Sequence, residues 1–289
     1  MELLSKAVPF ATFCFVVSSM LAVGLSLTVA QILAPLRSMR LVFLALLANF
    51  VLMPLAAMGI ARLLRLDQPL AVALLLLGAA AGAPFLPKLS SAAKGNLAFA
   101  VGLMVLLMVL TVGYMPLVLP LLLEGASVDP TKIARSLVLL MLLPLVLGLV
   151  VRARREAAAA RAAPFLNRFS TLSLAVMIVL MLVTNFRNIL DLYGTRGVLA
   201  SVIFLLVGFG LGWLLGGPAA DTRGVLALGT AQRNVAAALV VGGQNFSDPR
   251  VVVMVVVVAI VGLLVLMPLA RWAAKRGGDQ ETWAVAQPG

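Results

Sequence analysis

An all-α integral membrane protein of about nine transmembrane helices is the fold class this chain predicts, because apolar runs of about 20 residues recur along its whole length. Two further observations support it: 63% of its 289 residues are hydrophobic against 11% charged, and short polar loops separate the runs. A soluble domain of this composition would expose large apolar patches to water.

The spans read 8–34, 40–63, 69–93, 97–123, 133–152, 166–186, 198–217, 222–245 and 250–273. The first, beginning at Val8, is too long for the apolar region of a signal peptide and is read as retained. Arg37-Ser38-Met39-Arg40 leads into the second, and Arg65-Leu66-Asp67-Gln68-Pro69 into the third. Such short polar loops make consecutive helices antiparallel neighbours. The longest connection is expected after the fifth span, around Arg152, Arg154, Arg155, Glu156 and Arg161. Ser247-Asp248-Pro249-Arg250 leads into the last span, and residues 277–289 are expected to form a disordered cytoplasmic tail.

The net charge of +12 reads as a topology signal and gives no reason to expect a nucleic-acid partner. Alternation places Arg37, Arg40, Lys94, Arg152, Arg154, Arg155, Arg161, Arg168, Arg223, Arg271, Lys275 and Arg276 on one side, which is expected to be cytoplasmic. Arg62, Arg65, Lys132, Arg135, Arg187, Arg196 and Arg250 fall opposite, among Asp67, Glu124, Asp129, Asp191 and Asp248. The N-terminus then faces outward from a bacterial-type inner membrane, and the C-terminus inward. Trp213 and Trp272 suit anchoring at headgroup depth. Cys14 lies in an apolar run and is expected to pack in the core, and the chain has no histidine. With no buried carboxylate or activated nucleophile in the spans either, catalysis is not expected, nor is a metal centre or other cofactor.

The third and eighth spans look like counterparts. One holds Gly78, Gly82, Pro84, Pro87 and Lys88; the other holds Gly229, Thr230, Gln232, Arg233 and Asn234. Paired interruptions of this kind point to a transporter site between inverted repeats. Backbone freed by a helix break cannot face lipid, so each break implies a cavity or a protein cover. Gly82, Pro84, Pro87 and Gly229 are the expected breakers.

Acidic residues fall outside the spans or at their ends, whereas Lys88 and Arg233 fall within them. An intramembrane cation usually faces water or a partner, and a small organic anion is the simplest partner here. Arg233 is expected to bind it bidentately, with Asn234, Gln232 and Thr230 beside it. Lys88 has two open readings, lining the cavity or snorkelling toward Lys94. Asn49 also has two, ligand contact or an inter-helix hydrogen bond.

These clusters, with Met20–Thr28, Asn49–Leu55, Ala93–Asn96, Leu143–Gly148 and Gln232–Leu239, resemble the bile acid:sodium symporter family in order and spacing. The resemblance implies an inverted five-plus-five helix design with two crossing broken helices, here without the family's first helix. It also implies a single transmembrane domain over 1–276, with a core at about 40–130 and 198–273 and a panel at about 8–36 and 133–190. The family's sodium ligands are largely replaced. Leu86, Pro87, Ala100, Met104 and Gly229 stand where it carries polar or acidic groups, and Arg233 stands where it carries a glutamine. Asn49 takes the place of another glutamine. The expectation is alternating-access transport of an organic anion, sodium-independent, with Arg233 supplying the positive charge. Sodium coupling through Asn49, Thr230, Gln232 and main-chain carbonyls is the alternative, and a non-transporting sensor or scaffold is a second. Substrate, direction and oligomeric state are not legible.

Overall fold

The computed structural model describes residues 2–28, 30, 38–123, 129–184 and 196–285. Arg37, Glu124, Arg187 and Asp191, used above as topology signals, lie outside them, as do residues 29 and 31–34 of the first span.

In chain order the helices are α1 Glu2–Ser26, α2 Met39–Leu63, α3 Gln68–Ala79, α4 Leu86–Ala92, α5 Leu97–Leu122 and α6 Pro130–Arg154. Then come α7 Glu156–Thr184, α8 Gly197–Leu215, α9 Ala220–Ala231, α10 Val235–Asn245 and α11 Pro249–Val285. Among the described residues, eight helical runs are long and apolar enough to cross a membrane, with α9 and α10 counted as one run. The ninth expected span is the interrupted pair α3 and α4. Both counterpart spans are therefore broken, the first at residues 80–85 and the second at residues 232–234.

Burial separates these broken helices from the rest. The run Ala220–Asn245 has 89% of its span window buried, against 22–56% for the other seven. In α3 every residue from Val72 to Ala79 is buried. Freed backbone polar groups are thus enclosed by protein, the only arrangement hydrocarbon tolerates.

The connection expected to be longest is the shortest. α6 runs to Arg154 and α7 begins at Glu156, with Arg155 between them. Glu156 is followed by four alanines, which favour helix strongly, and Arg152 Nη2 pairs with Glu156 Oε1 at 2.9 Å. The small side chains also permit close packing, since Ala159 and Ala163 bury against Leu25. On α1's other contact, Gly24 and Gly148 let the backbones of α1 and α6 meet; a Cβ on Gly24 would lie 2.9 Å from the Gly148 Cα. Of the tail expected to be disordered, 277–285 continue α11 as far as Val285, and 286–289 lie outside the described residues.

α2 contains a π turn at Ala48–Leu52, where the Met53 N–H donates to Ala48 O. Continued π spacing would give Asn49 O a donor at position 54, but that residue is Pro54, which has no N–H. Phe50 O would bond the same position at ordinary α spacing. The sequence thereby frees two carbonyls in mid-membrane. Phe50 O accepts from the Tyr114 hydroxyl of α5, and Asn49 O is left for a donor from elsewhere.

Candidate functional site

α3 ends at Ala79 and α4 starts at Leu86, so the segment between must satisfy its polar groups without a helix. Pro84 removes the N–H that Ala80 O would receive at helical spacing. Ala80 O accepts instead from the Asn234 N–H at 2.9 Å. Gly82 O accepts from Asn234 Nδ2 at 3.1 Å. Thr111 of α5 serves both polar groups of Ala81: its Oγ1 accepts from Ala81 N at 3.0 Å and donates to Ala81 O at 3.1 Å. Gly82 turns the chain at φ +78 directly against the backbone of α5.

The second break is shorter. Gln232 N–H closes α9 by donating to Leu228 O at 2.8 Å, and Asn234 starts α10 by accepting the Ala237 N–H at 3.1 Å on its Oδ1. Arg233 lies between the two half-helices and is 3% exposed. A guanidinium has five N–H donors. Nε donates to Leu77 O at 2.8 Å; Nη1 donates to Asn49 Oδ1 at 2.6 Å and Thr230 O at 3.1 Å; Nη2 donates to Gly78 O at 2.7 Å and Asn49 O at 3.3 Å. All five are therefore engaged by protein oxygens.

Leu77 and Gly78 lie in the last turn of α3, and Thr230 lies in the last turn of α9, where carbonyls lack intrahelical donors. Each helix C-terminus carries a partial charge of about −0.5, so two of them together offset about one positive charge. The helix ends offset the guanidinium charge, and in this conformation its five donors are taken by protein oxygens, which leaves none for the expected bidentate capture of a carboxylate. Its positive charge remains central to the crossing.

Asn49 is fully buried and donates from Nδ2 to Ala45 O at 3.0 Å and Thr230 Oγ1 at 3.3 Å. Both of its open readings converge on one fact: its side-chain oxygen is committed to Arg233. The structure thus brings together Arg233, Asn49, Thr230 and Asn234. Lys88 is not among them; it is exposed, with its Nζ 5.2 Å from the centre of the Phe85 ring. Gln232 is half-buried, and its Oε1 has no hydrogen-bond partner among the described residues.

Two expected breakers have other roles. Pro87 lies in the first turn of α4, where its missing N–H costs nothing, so it starts a helix. Gly229 lies inside α9, which continues to Ala231; a Cβ there would come within 3.0 Å of Leu86, so the glycine makes room for that side chain. The residues that sequence reasoning missed are Thr111 and Tyr114. They are the only polar side chains in the 26 residues of α5 and stand three positions apart, on one helix face. Thr111→Val should leave the amide and carbonyl of Ala81 buried and unpaired, at about 1–3 kcal/mol for such a group. The check is a lowered melting temperature in detergent, and an unchanged value would remove Thr111 from the support of the break.

A cleft of about 420 Å³ opens where α1 and α11 begin and where α7 and α10 end. Phe13, Leu140, Leu239 and Phe246 contribute to a mostly apolar lining.

A family model described as the Sodium Bile acid symporter family matches residues 13–192 of this chain. That stretch contains the first break, and the second lies beyond it. A protein of Bacillus subtilis (strain 168), described as the uncharacterized sodium-dependent transporter YocS, is 28% identical over 202 residues, which cover 68% of this chain. The same alignment spans 60% of the relative's length, less than two thirds of it.

Proposed function

Because the chain belongs to the sodium bile acid symporter family, we propose that it is a secondary transporter of a small organic anion in which Arg233 permanently fills the place of a coupling sodium ion. The observation carrying this reading is the set of five oxygens around the guanidinium. Half-helix C-termini and unwound carbonyls are what transporters of this general design present to sodium. Here those oxygens already hold a cation that is covalently part of the chain. Other positions where the family resemblance implies ion ligands are apolar: Leu86, Ala100 and Met104 are buried, and Leu86 packs beside Gly229.

Transport, not catalysis, is the function class that family membership supports. The crossing is the natural pivot of alternating access. The apolar cleft suits the body of an amphipathic anion, the chemical class to which bile acids belong. The charge pattern favours this cleft as the outward face, with the N-terminus outside and the C-terminus in the cytoplasm. Without a co-transported cation, an interior-negative potential opposes monoanion entry by about 2.3 kcal/mol per 100 mV, so net flux should run outward unless the inward gradient is steep.

Gln232 Oε1 favours a second reading. A buried acceptor without a donor is suited to a cation, and it is the one side-chain oxygen of the expected sodium set that Arg233 does not occupy directly or through Asn49. A thermal-shift screen of carboxylates and sulfonates on purified protein separates the two. Any ligand that stabilises in sodium should stabilise equally when choline replaces sodium. Stabilisation seen only with sodium would establish the coupled alternative.

A further inference from the structure

A second site lies at the far end of α11 from the cleft. Residues 249 and 272 of that helix are separated by about 35 Å at 1.5 Å per residue. There, Trp213, Ala220, Arg223, Trp272 and Arg276 line a cavity of about 250 Å³ between α8, α9 and α11. We propose that this cavity binds the phosphate of an anionic phospholipid headgroup.

Its walls are aromatic and cationic. The Trp213 and Trp272 rings are 4.9 Å apart, the Arg223 guanidinium lies 5.6 Å from the Trp213 ring centre, and the Arg276 guanidinium lies 5.3 Å from that of Trp272. Arg223 is positioned by donating from Nε to Gly217 O at 2.7 Å and from Nη2 to Pro218 O at 3.4 Å, while its Nη1 makes no hydrogen bond among the described residues. None of the five lining residues is acidic. The carboxylate of Asp221, next to Ala220, accepts from Asn96 Nδ2 at 3.3 Å and from Thr222 N at 2.8 Å.

Ala220 opens the twelve-residue helix α9; Asp221 in its first turn takes the Thr222 N–H, so the positive charge at the cavity comes from Arg223 and Arg276. Two guanidiniums held on indole rings present charge-assisted donors to a phosphate oxygen. A free phosphate compound would satisfy the same donors. The surroundings favour lipid: Leu214, beside Trp213, is 80% exposed, and Trp272 is 41% exposed, so apolar surface continues from the polar pocket. The basic side of the chain also includes Lys94, Arg271 and Lys275, and basic pockets between transmembrane helices on such a side bind lipid headgroups.

The test uses the full chain with Trp283→Phe, leaving Trp213 and Trp272 as its fluorophores. In lipid vesicles, brominated phosphatidylglycerol should quench their emission at a lower mole fraction than brominated phosphatidylcholine. Arg276→Gln, which removes the side chain that stacks on Trp272, should weaken that preference by about fivefold. Arg276→Lys should retain most of it. Equal quenching by both lipids, or an undiminished preference in Arg276→Gln of unchanged melting temperature, would overturn the proposal. Relief of quenching by excess inorganic phosphate would overturn the choice of lipid and assign the site to a soluble phosphate compound.

Discussion

If Arg233 fills the place of a coupling sodium ion, Arg233→Gln should create a sodium requirement that the parent protein does not show. The substitution removes the guanidinium and leaves Leu77 O, Gly78 O, Thr230 O, Asn49 O and Asn49 Oδ1 converging on the vacated space. Glutamine is also the residue that the family resemblance implies at this position. Without a cation, the glutamine amide can supply at most two donors to this set, in which Leu77 O also accepts from Ala80 N at 3.2 Å. Breaking a buried charged network by removing one member costs about 3–5 kcal/mol, so the variant should melt well below the parent protein in choline chloride. Sodium chloride should recover much of the loss, because the two helix C-termini still present their partial negative charge. The measurement is the melting temperature of both proteins against sodium at constant ionic strength. The parent curve should be flat and the variant curve should rise and saturate. A flat variant curve would mean that the carbonyl cluster is a structural seat for arginine with no capacity for a cation. A rising parent curve would mean that sodium binds elsewhere, with Gln232 Oε1 the first place to look.

What could be read from the sequence here follows from what a sequence labels. Gly82 and Pro84 announce a break because their effects are local: one supplies a positive φ, the other withholds a donor. Arg233 stands out because a cation within a span is costly wherever it lies. Its partners were not legible, since four of the five oxygens around it are on the main chain, where residue type gives no warning. Leu77 and Asn49 are also 156 and 184 positions away in the chain. For the same reason a bidentate anion contact looked natural from composition alone. Gly229 misled for a different reason: a glycine marks either a bend or a close neighbour, and the neighbour, Leu86, comes from the other broken span. The run after Arg155 misled because its charges suggested a loop, while its alanines both favour helix and pack tightly on α1.

Gly82→Ala should be the most damaging single-methyl change in the molecule. At φ +78 an L side chain costs about 1–2 kcal/mol by itself. A Cβ there would also lie 2.6 Å from Met108 Cα and 2.7 Å from Met104 O, both backbone atoms of α5 that no rotamer change can move aside. Relief would require the turn and α5 to separate. Separation would stretch the Thr111 bonds to Ala81 and the Asn234 bond to Gly82 O, so one methyl group would loosen both breaks together. Overpacking of a tight interior adds about 1–3 kcal/mol, which brings the total close to the stability of many domains. The expected result is little monodisperse protein after extraction and no ligand-induced thermal shift in what remains. Gly113→Ala is the matched control: it lies on the same α5, and a Cβ there would meet no atom within 4 Å. That variant should melt at or slightly above the parent, because alanine favours helix by about 1 kcal/mol over glycine. If Gly82→Ala matched the control in yield and melting temperature, the left-handed turn would have to lie away from α5, and the crossing would lose the contact that fixes Ala80–Gly82 beneath Arg233 and Asn234.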